Sequence, residues 1–263
     1  MLLNKDLRKE IAWMTWHSKE GHIPSAYSIV DIVDFLFTDF LKINIKNANT
    51  VNRDSFVLSK GHGCSALYSV FKKIGFLKKS DLLNKNKEFS ILATHPDRTK
   101  IKAVDTSTGS LGNGIGFAVG LALANKIKKN NFKTVTLIGD GESNEGLVWE
   151  CALLAAHRML GNLCIVLDNN KSCEPTLSIP NALEKWRSFG WEATEINGHD
   201  ISDIQNVFRK MNFKTVSKPK IIIAHTVKGK GVKPMEENYG HWHSRVPNNE
   251  ELKMIYEEID NYK

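Results

Sequence analysis

Two apolar, β-branched runs, residues 133–138 (KTVTLI) and 163–167 (LCIVL), bracket a stretch where Leu147, Val148, Cys151, Leu154, Ala155, Met159 and Leu160 recur at helical spacing. Gly161 ends that helix. Strand, helix, strand of this length is a βαβ unit, and such a crossover sets consecutive strands parallel with their carboxyl ends on one edge of the sheet. Few features constrain a fold more tightly.

Asp140 closes the first strand and Asn170 the second, so a carboxylate and an amide oxygen about thirty residues apart reach the same edge. That pair suits a small hard cation such as magnesium, which keeps octahedral geometry and is usually shared with substrate phosphates. Gly141 lets the backbone approach a phosphate closely, and the start of the following helix offers free N–H groups. Taken singly, Gly-Asp-Gly and Asn-Asn are ordinary turn signals; at the two ends of one βαβ unit they form a metal-plus-diphosphate cradle.

The remaining chain repeats the alternation. Apolar spacing predicts a helix over 7–19 and another over 27–40, a strand over 53–59, a helix through Tyr68 and Phe71, and a helix over 114–127. Further on it predicts a short helix over 182–189, a strand over 194–197, a helix over 201–211, a buried-type strand over 220–227 and a charged closing helix over 250–259. Residues 171–180 read as a polar loop and 228–231 (KGKG) as a flexible basic loop. The expectation is an α/β fold with a mainly parallel sheet flanked by helices, in one domain covering residues 1–263.

Composition excludes several classes. Hydrophobic residues make up 41% of the chain and charged ones 25%, as in an ordinary globular protein. No apolar run approaches a membrane span and no signal peptide is evident at the amino terminus, which makes a cytoplasmic location the default. The net charge of +7 is spread over lysine-rich surface stretches, a pattern that argues against nucleic acid and still favours anionic sugar phosphates. Cys64, Cys151, Cys164 and Cys173 have no metal or disulfide spacing, and Cys151 and Cys164 sit where small hydrophobes pack.

Histidines punctuate the turns. His22 sits in GHIPS, His62 in KGHG and His95 in THPDR, while His243 follows His241-Trp242 near the carboxyl end. One histidine in a turn is more often solvated or capping than catalytic, but four in Gly- or Pro-containing turns strengthen one another, since imidazole exchanges protons near neutral pH. The loop over 106–113 (TSTGSLGN) lacks the preceding strand of a dinucleotide fingerprint and reads as a ligand-hugging turn.

The GDG motif, about thirty residues to NN, then Glu145-Gly146 and the run from Leu160 to Leu163, resembles the thiamine diphosphate fingerprint, and the transketolase family in particular. The resemblance implies a thiamine diphosphate-binding fold, its diphosphate-binding half. It implies transfer of a two-carbon ketol unit from a ketose to an aldose, with thiamine diphosphate and Mg2+ as cofactors. His22, His62, His95 and His243 match the catalytic channel histidines, with His62 near the diphosphate. Gly109, Ser110, Leu111, Gly139, Asp140, Gly141, Glu145 and Asn170 match cofactor-binding positions. Asp140, Asn170 and a carbonyl of Ser172 match the metal ligands.

Because the resemblance covers only the first half of a full-length transketolase, it implies a split enzyme. The partner would be a carboxy-terminal subunit carrying the pyrimidine domain, in a dimer of heterodimers, with Glu145 reaching across the interface. Departures from the family pattern are the short 171–176 loop, Ser244 after His243 and Pro24-Ser25 after His22. Two other readings stand beside this one, the α subunit of a 2-oxo acid dehydrogenase and a catalytically silent regulatory subunit.

Overall fold

Residues 3–262 are described by the computed structural model. Their sheet has five strands: β1 (Ser55–Leu58), β2 (Thr134–Gly139), β3 (Leu163–Asn169), β4 (Glu192–Asn197) and β5 (Lys220–His225). The order is β1-β2-β3-β5-β4, with every pairing parallel. The helices are α1 (Lys5–Ser18), α2 (Ile23–Tyr27), α3 (Val30–Phe35), α4 (Cys64–Lys73), α5 (Lys79–Leu83), α6 (Asn113–Ile127) and α7 (Gly146–His157). They continue as α8 (Glu174–Leu177), α9 (Ala182–Ser188), α10 (Ile201–Lys210), α11 (Lys233–Glu237) and α12 (Asn249–Asn261).

Strands β2, β3 and β5 are apolar on both faces because helices cover both. Side chains at alternate positions, Val135 and Leu137, Cys164 and Val166, Ile222 and Ala224, meet Ile11, Val33, Phe71 and Phe208. Their neighbours Ile138, Ile165, Leu167, Ile221 and Ile223 meet Ile115, Ala118, Val148, Ala152 and Trp186 on the other side. Helices α6 and α7 are apolar nearly all round, which leaves Phe117, Ile127, Leu153 and Leu154 exposed.

The βαβ unit is present, with two differences around it. Between Asp140 and α7 stands a 3-10 turn (Gly141–Asn144), so the helix amino terminus lies farther from the GDG turn than the sequence implies. The helix expected over 27–40 is broken into α2, α3 and a π turn (Leu36–Phe40). At the first break the Ser28 hydroxyl turns inward and donates to Asp168 at 2.8 Å, an attachment that apolar periodicity does not reveal. The short α5, α8 and α11 leave no mark in the sequence pattern; each holds only one turn of chain, too little for a period to register.

Candidate active site

The carboxyl ends of β2 and β3 pair Gly139 with Asp168, which delivers Asp140 and Asn170 side by side. Both reach the same residue: Ser172 donates its N–H to Asn170 Oδ1 at 3.1 Å and its hydroxyl to Asp140 Oδ1 at 3.3 Å. The Asp140 carboxylate also accepts the Gly141 N–H at 2.7 Å. Among the described residues no three of His, Cys, Asp or Glu gather as a metal cluster. A cation at this edge would therefore draw on one carboxylate, amide and carbonyl oxygens, and oxygens of a bound ligand, a donor set that fits magnesium shared with a diphosphate.

Two buried carboxylates that the sequence reading passes over brace this edge. Glu142 is 2% exposed and its Oε1 accepts the Ser59 hydroxyl and the Gly112 N–H, the latter at 2.9 Å, while Oε2 accepts the Gly139 N–H at 3.1 Å. It thus ties the GDG turn to the 106–113 loop; burial raises its pKa against the pull of these donors. Asp168 is fully buried and accepts from Lys60, Thr226, Ser28 and Asn170. Burial works to raise its pKa, but the Lys60 ammonium and the other donors outweigh that and hold the carboxyl below its ordinary range.

The four histidines converge opposite. The ring of His22 lies 5.3 Å from that of His62 and 5.1 Å from that of His243, and the His22 backbone N–H donates to the His243 backbone carbonyl at 3.2 Å. His95 joins through glycines: a Cβ on Gly61 would lie 3.0 Å from its Cδ2, and one on Gly109 would lie 3.3 Å from its Cγ. His22 has φ 71°, a left-handed conformation that costs a non-glycine residue about 1 kcal/mol or more. Its Nδ1 is buried with no protein partner, an atom a ligand would satisfy.

Burial, with His243, His95 and two nearby lysines, pushes His22 down to about 4. Burial and Lys60 push His62 to about 2. His95 and His243 are lowered as well, chiefly by burial. All four rings are neutral at pH 7, each with one lone pair and one N–H to offer.

The KGKG stretch is mostly buried, in contrast to the flexible basic loop expected. Lys228 is 6% exposed, with Nζ 3.3 Å from His243 Nδ1, and burial together with Lys60 pushes it down to about 8. Ser110 is exposed, Leu111 half-buried and Glu145 exposed beside Gly112; among the described residues no hydrogen bond joins these three to the site histidines. Lys60 and Lys228 escape the sequence reading, although each adjoins a glycine of a motif already singled out.

A family model described as "Transketolase, thiamine diphosphate binding domain" matches residues 12–259. The chain belongs to the transketolase family. It is 34% identical over 257 residues to one of the subunits of the apulose-4-phosphate transketolase of Phocaeicola vulgatus, covering 96% of this chain and 90% of that one. It is 37% identical over 216 residues to the 6-deoxy-6-sulfo-D-fructose transketolase subunit SqwG of a Clostridium species, covering 80% and 78%. The transketolase structure from Leishmania mexicana superposes with a TM-score of 0.88 at 27% identity, over 97% of this chain and 40% of that one. That from Campylobacter jejuni gives 0.88 at 28%, over 97% and 42%. This transketolase-family chain therefore spans most of relatives named as subunits and about two-fifths of the solved transketolase chains. Fold class and family agree with the sequence reading.

Proposed function

We propose that this chain is the diphosphate-binding subunit of a two-subunit transketolase, moving a two-carbon ketol unit from a ketose or ketose phosphate to an aldose. The observation that carries the reading is the meeting of Asp140 and Asn170 on Ser172, which shares one cavity with His243 of the histidine cluster. Asp140, Asn170 and the Ser172 carbonyl would hold Mg2+, and the Gly139–Gly141 backbone would lie along the diphosphate. Bound thiamine diphosphate supplies the nucleophilic carbon and the electron sink that cleavage beside a ketose carbonyl needs.

The chain's own residues orient and move protons. A neutral imidazole at His22, His62, His95 or His243 can donate to one sugar hydroxyl and accept from another, and can take or return a proton as the bond beside it changes. A cationic ring could do neither equally well, so the burial that keeps these rings neutral supports the chemistry. Lys228 adds positive charge beside His243, which favours anionic sugars.

A complementary polypeptide with the pyrimidine domain, in a dimer of heterodimers, belongs to the same proposal. Its seat is the exposed apolar face of Phe117, Ile127, Leu153 and Leu154, with Glu145 exposed at the amino end of α7. A cytoplasmic location accords with Cys64, Cys151 and Cys164, which are free and buried. Among the described residues no helix is long and apolar enough to cross a membrane.

The test is reconstitution. The purified chain, loaded with Mg2+ and thiamine diphosphate, should transfer no ketol unit alone and should do so once the complementary chain is added. Ketoses, including apulose-4-phosphate and 6-deoxy-6-sulfo-D-fructose, are offered beside a 2-oxo acid. Turnover by the single chain, or consumption of the 2-oxo acid in preference to every ketose, refutes the reading.

A further inference from the structure

His199 stands apart from the four site histidines, in the turn between β4 and α10, with its side chain 10% exposed. Its Nε2 receives the backbone N–H of Val227 at 2.9 Å. A ring nitrogen that receives an N–H must present a lone pair, so the proton sits on Nδ1, 3.0 Å from Asp31 Oδ2. Asp31 is 1% exposed and is held by Arg8 through two bonds, Nη1 at 2.9 Å and Nη2 at 2.7 Å. Arg8 in turn points its Nε at the carbonyl of Lys230, 3.0 Å away.

One buried cluster thus grips both ends of a four-residue strap: the N–H of Val227 through His199, the carbonyl of Lys230 through Arg8, and both through Asp31. In the middle, the Gly229 N–H donates to the Pro24 carbonyl at 3.1 Å. Gly229 has φ 86°, and a Cβ there would lie 2.6 Å from Met235 Cβ, so the strap has little freedom to shift. Lys228, between the two grips, lines a cavity of about 450 Å³ with Gly141, Ser172, Cys173, Tyr239 and His243. A buried ion pair contributes little net stability over apolar residues of equal volume, so position is the better account of what this cluster provides.

We propose that Arg8, Asp31 and His199 are positioning residues that act through the 227–230 strap to hold the Lys228 ammonium against His243 in the active-site cavity. None of the three lines that cavity. His199 is the acceptor that fixes the strap's amino end.

Acetylation of Lys228 in the full-length chain, followed by mass spectrometry at constant pH, tests the proposal without cofactor. His199→Leu should raise labelling at Lys228 by about three- to tenfold, the opening expected from loss of one hydrogen bond, with Lys85 and Lys220 unchanged. His199→Gln, whose side-chain oxygen can accept the Val227 N–H, should restore most of the protection. Arg8→Lys, which keeps a charge near Asp31 but lacks the Nε bond, gives the same reading at the strap's other end should His199→Leu fail to fold. In the assembled two-subunit enzyme, where this arm rests on the proposed function, His199→Leu should raise KM for a sugar phosphate more than it alters kcat. Unchanged Lys228 labelling in both His199→Leu and Arg8→Lys, or equal labelling in the Leu and Gln variants, overturns the proposal. Those labelling outcomes do not depend on which reaction the enzyme performs.

Discussion

Replacing Lys60 by methionine isolates the buried charge on which the sheet edge is built. The Lys60 and Asp168 side chains are 2% and 0% exposed, so the substitution leaves an anion with only the Ser28, Thr226 and Asn170 donors. Breaking such a pair from one side costs about 3–5 kcal/mol. For a chain of this size that lowers Tm by about 6–20 °C. The pH dependence should also change sign. In the native protein the Asp168 pKa lies below its ordinary value, so its contribution is present above that value and lost as pH falls through the folded one. Without Lys60, burial dominates and raises the folded pKa above the unfolded one; the variant then gains stability, relative to the native protein, as pH falls toward the unfolded pKa. Thermal melts at pH 7 and pH 5 read both effects, and Lys60→Met/Asp168→Asn should recover at least half of the loss. A single variant that loses under about 1 kcal/mol, or a double variant no better than the single, would refute the claim that Asp168 is a charge held by Lys60.

Asp140→Ala and Asn170→Ala should each weaken Mg2+-dependent binding of thiamine diphosphate to the assembled enzyme at least about tenfold by calorimetry, the effect of losing one charged or polar bond, with circular dichroism unchanged. Histidine NMR should show His22 titrating near pH 4 and His62 remaining neutral at that pH. Because the unfolded chain takes up protons that these folded rings refuse, stability should decline as pH drops from about 6.5 toward 4 and level off above 7; His22→Gln should make that slope shallower. Gly112→Ala places a Cβ 2.8 Å from Glu145 Cβ at φ 82°, and should cost about 1–3 kcal/mol in chemical denaturation.

What the sequence made legible was whatever follows from period and punctuation. The 133–170 unit and the parallel sheet could be read because apolar spacing marks elements and glycine marks the turns between them, and the same turns single out four histidines that the fold brings together, while the role expected of them came from the family resemblance. The unread part is polar residues in buried places. Asp168, Glu142, Lys60, Lys228 and Arg8 are each under 9% exposed, yet by residue type each reads as surface. Their partners lie far away in sequence, as with Asp168 and Lys60, and no local pattern carries that pairing. The break at Ser28 belongs to the same class: its hydroxyl bonds to a carboxylate 140 residues away in sequence.

The Asn169-Asn170 pair shows how far simple alternation can go toward closing that gap. Along β3, Cys164 and Val166 face one side of the sheet and Ile165 and Leu167 the other. Continuing the period of two puts Asp168 and Asn170 together on the first side and Asn169 on the second. The hydrogen bonds agree: Asn170 Nδ2 donates to Asp168 at 2.7 Å, while the Asn169 amide lies 3.3 Å from the His225 ring. A one-residue change of register in β3 would bring Asn169 to the cradle and carry Asp168 away from Lys60. The apolar runs that place β3 between β2 and β5 therefore also decide which asparagine stands beside Asp168 and Ser172, so core packing several residues earlier sets which amide the proposed metal site would use.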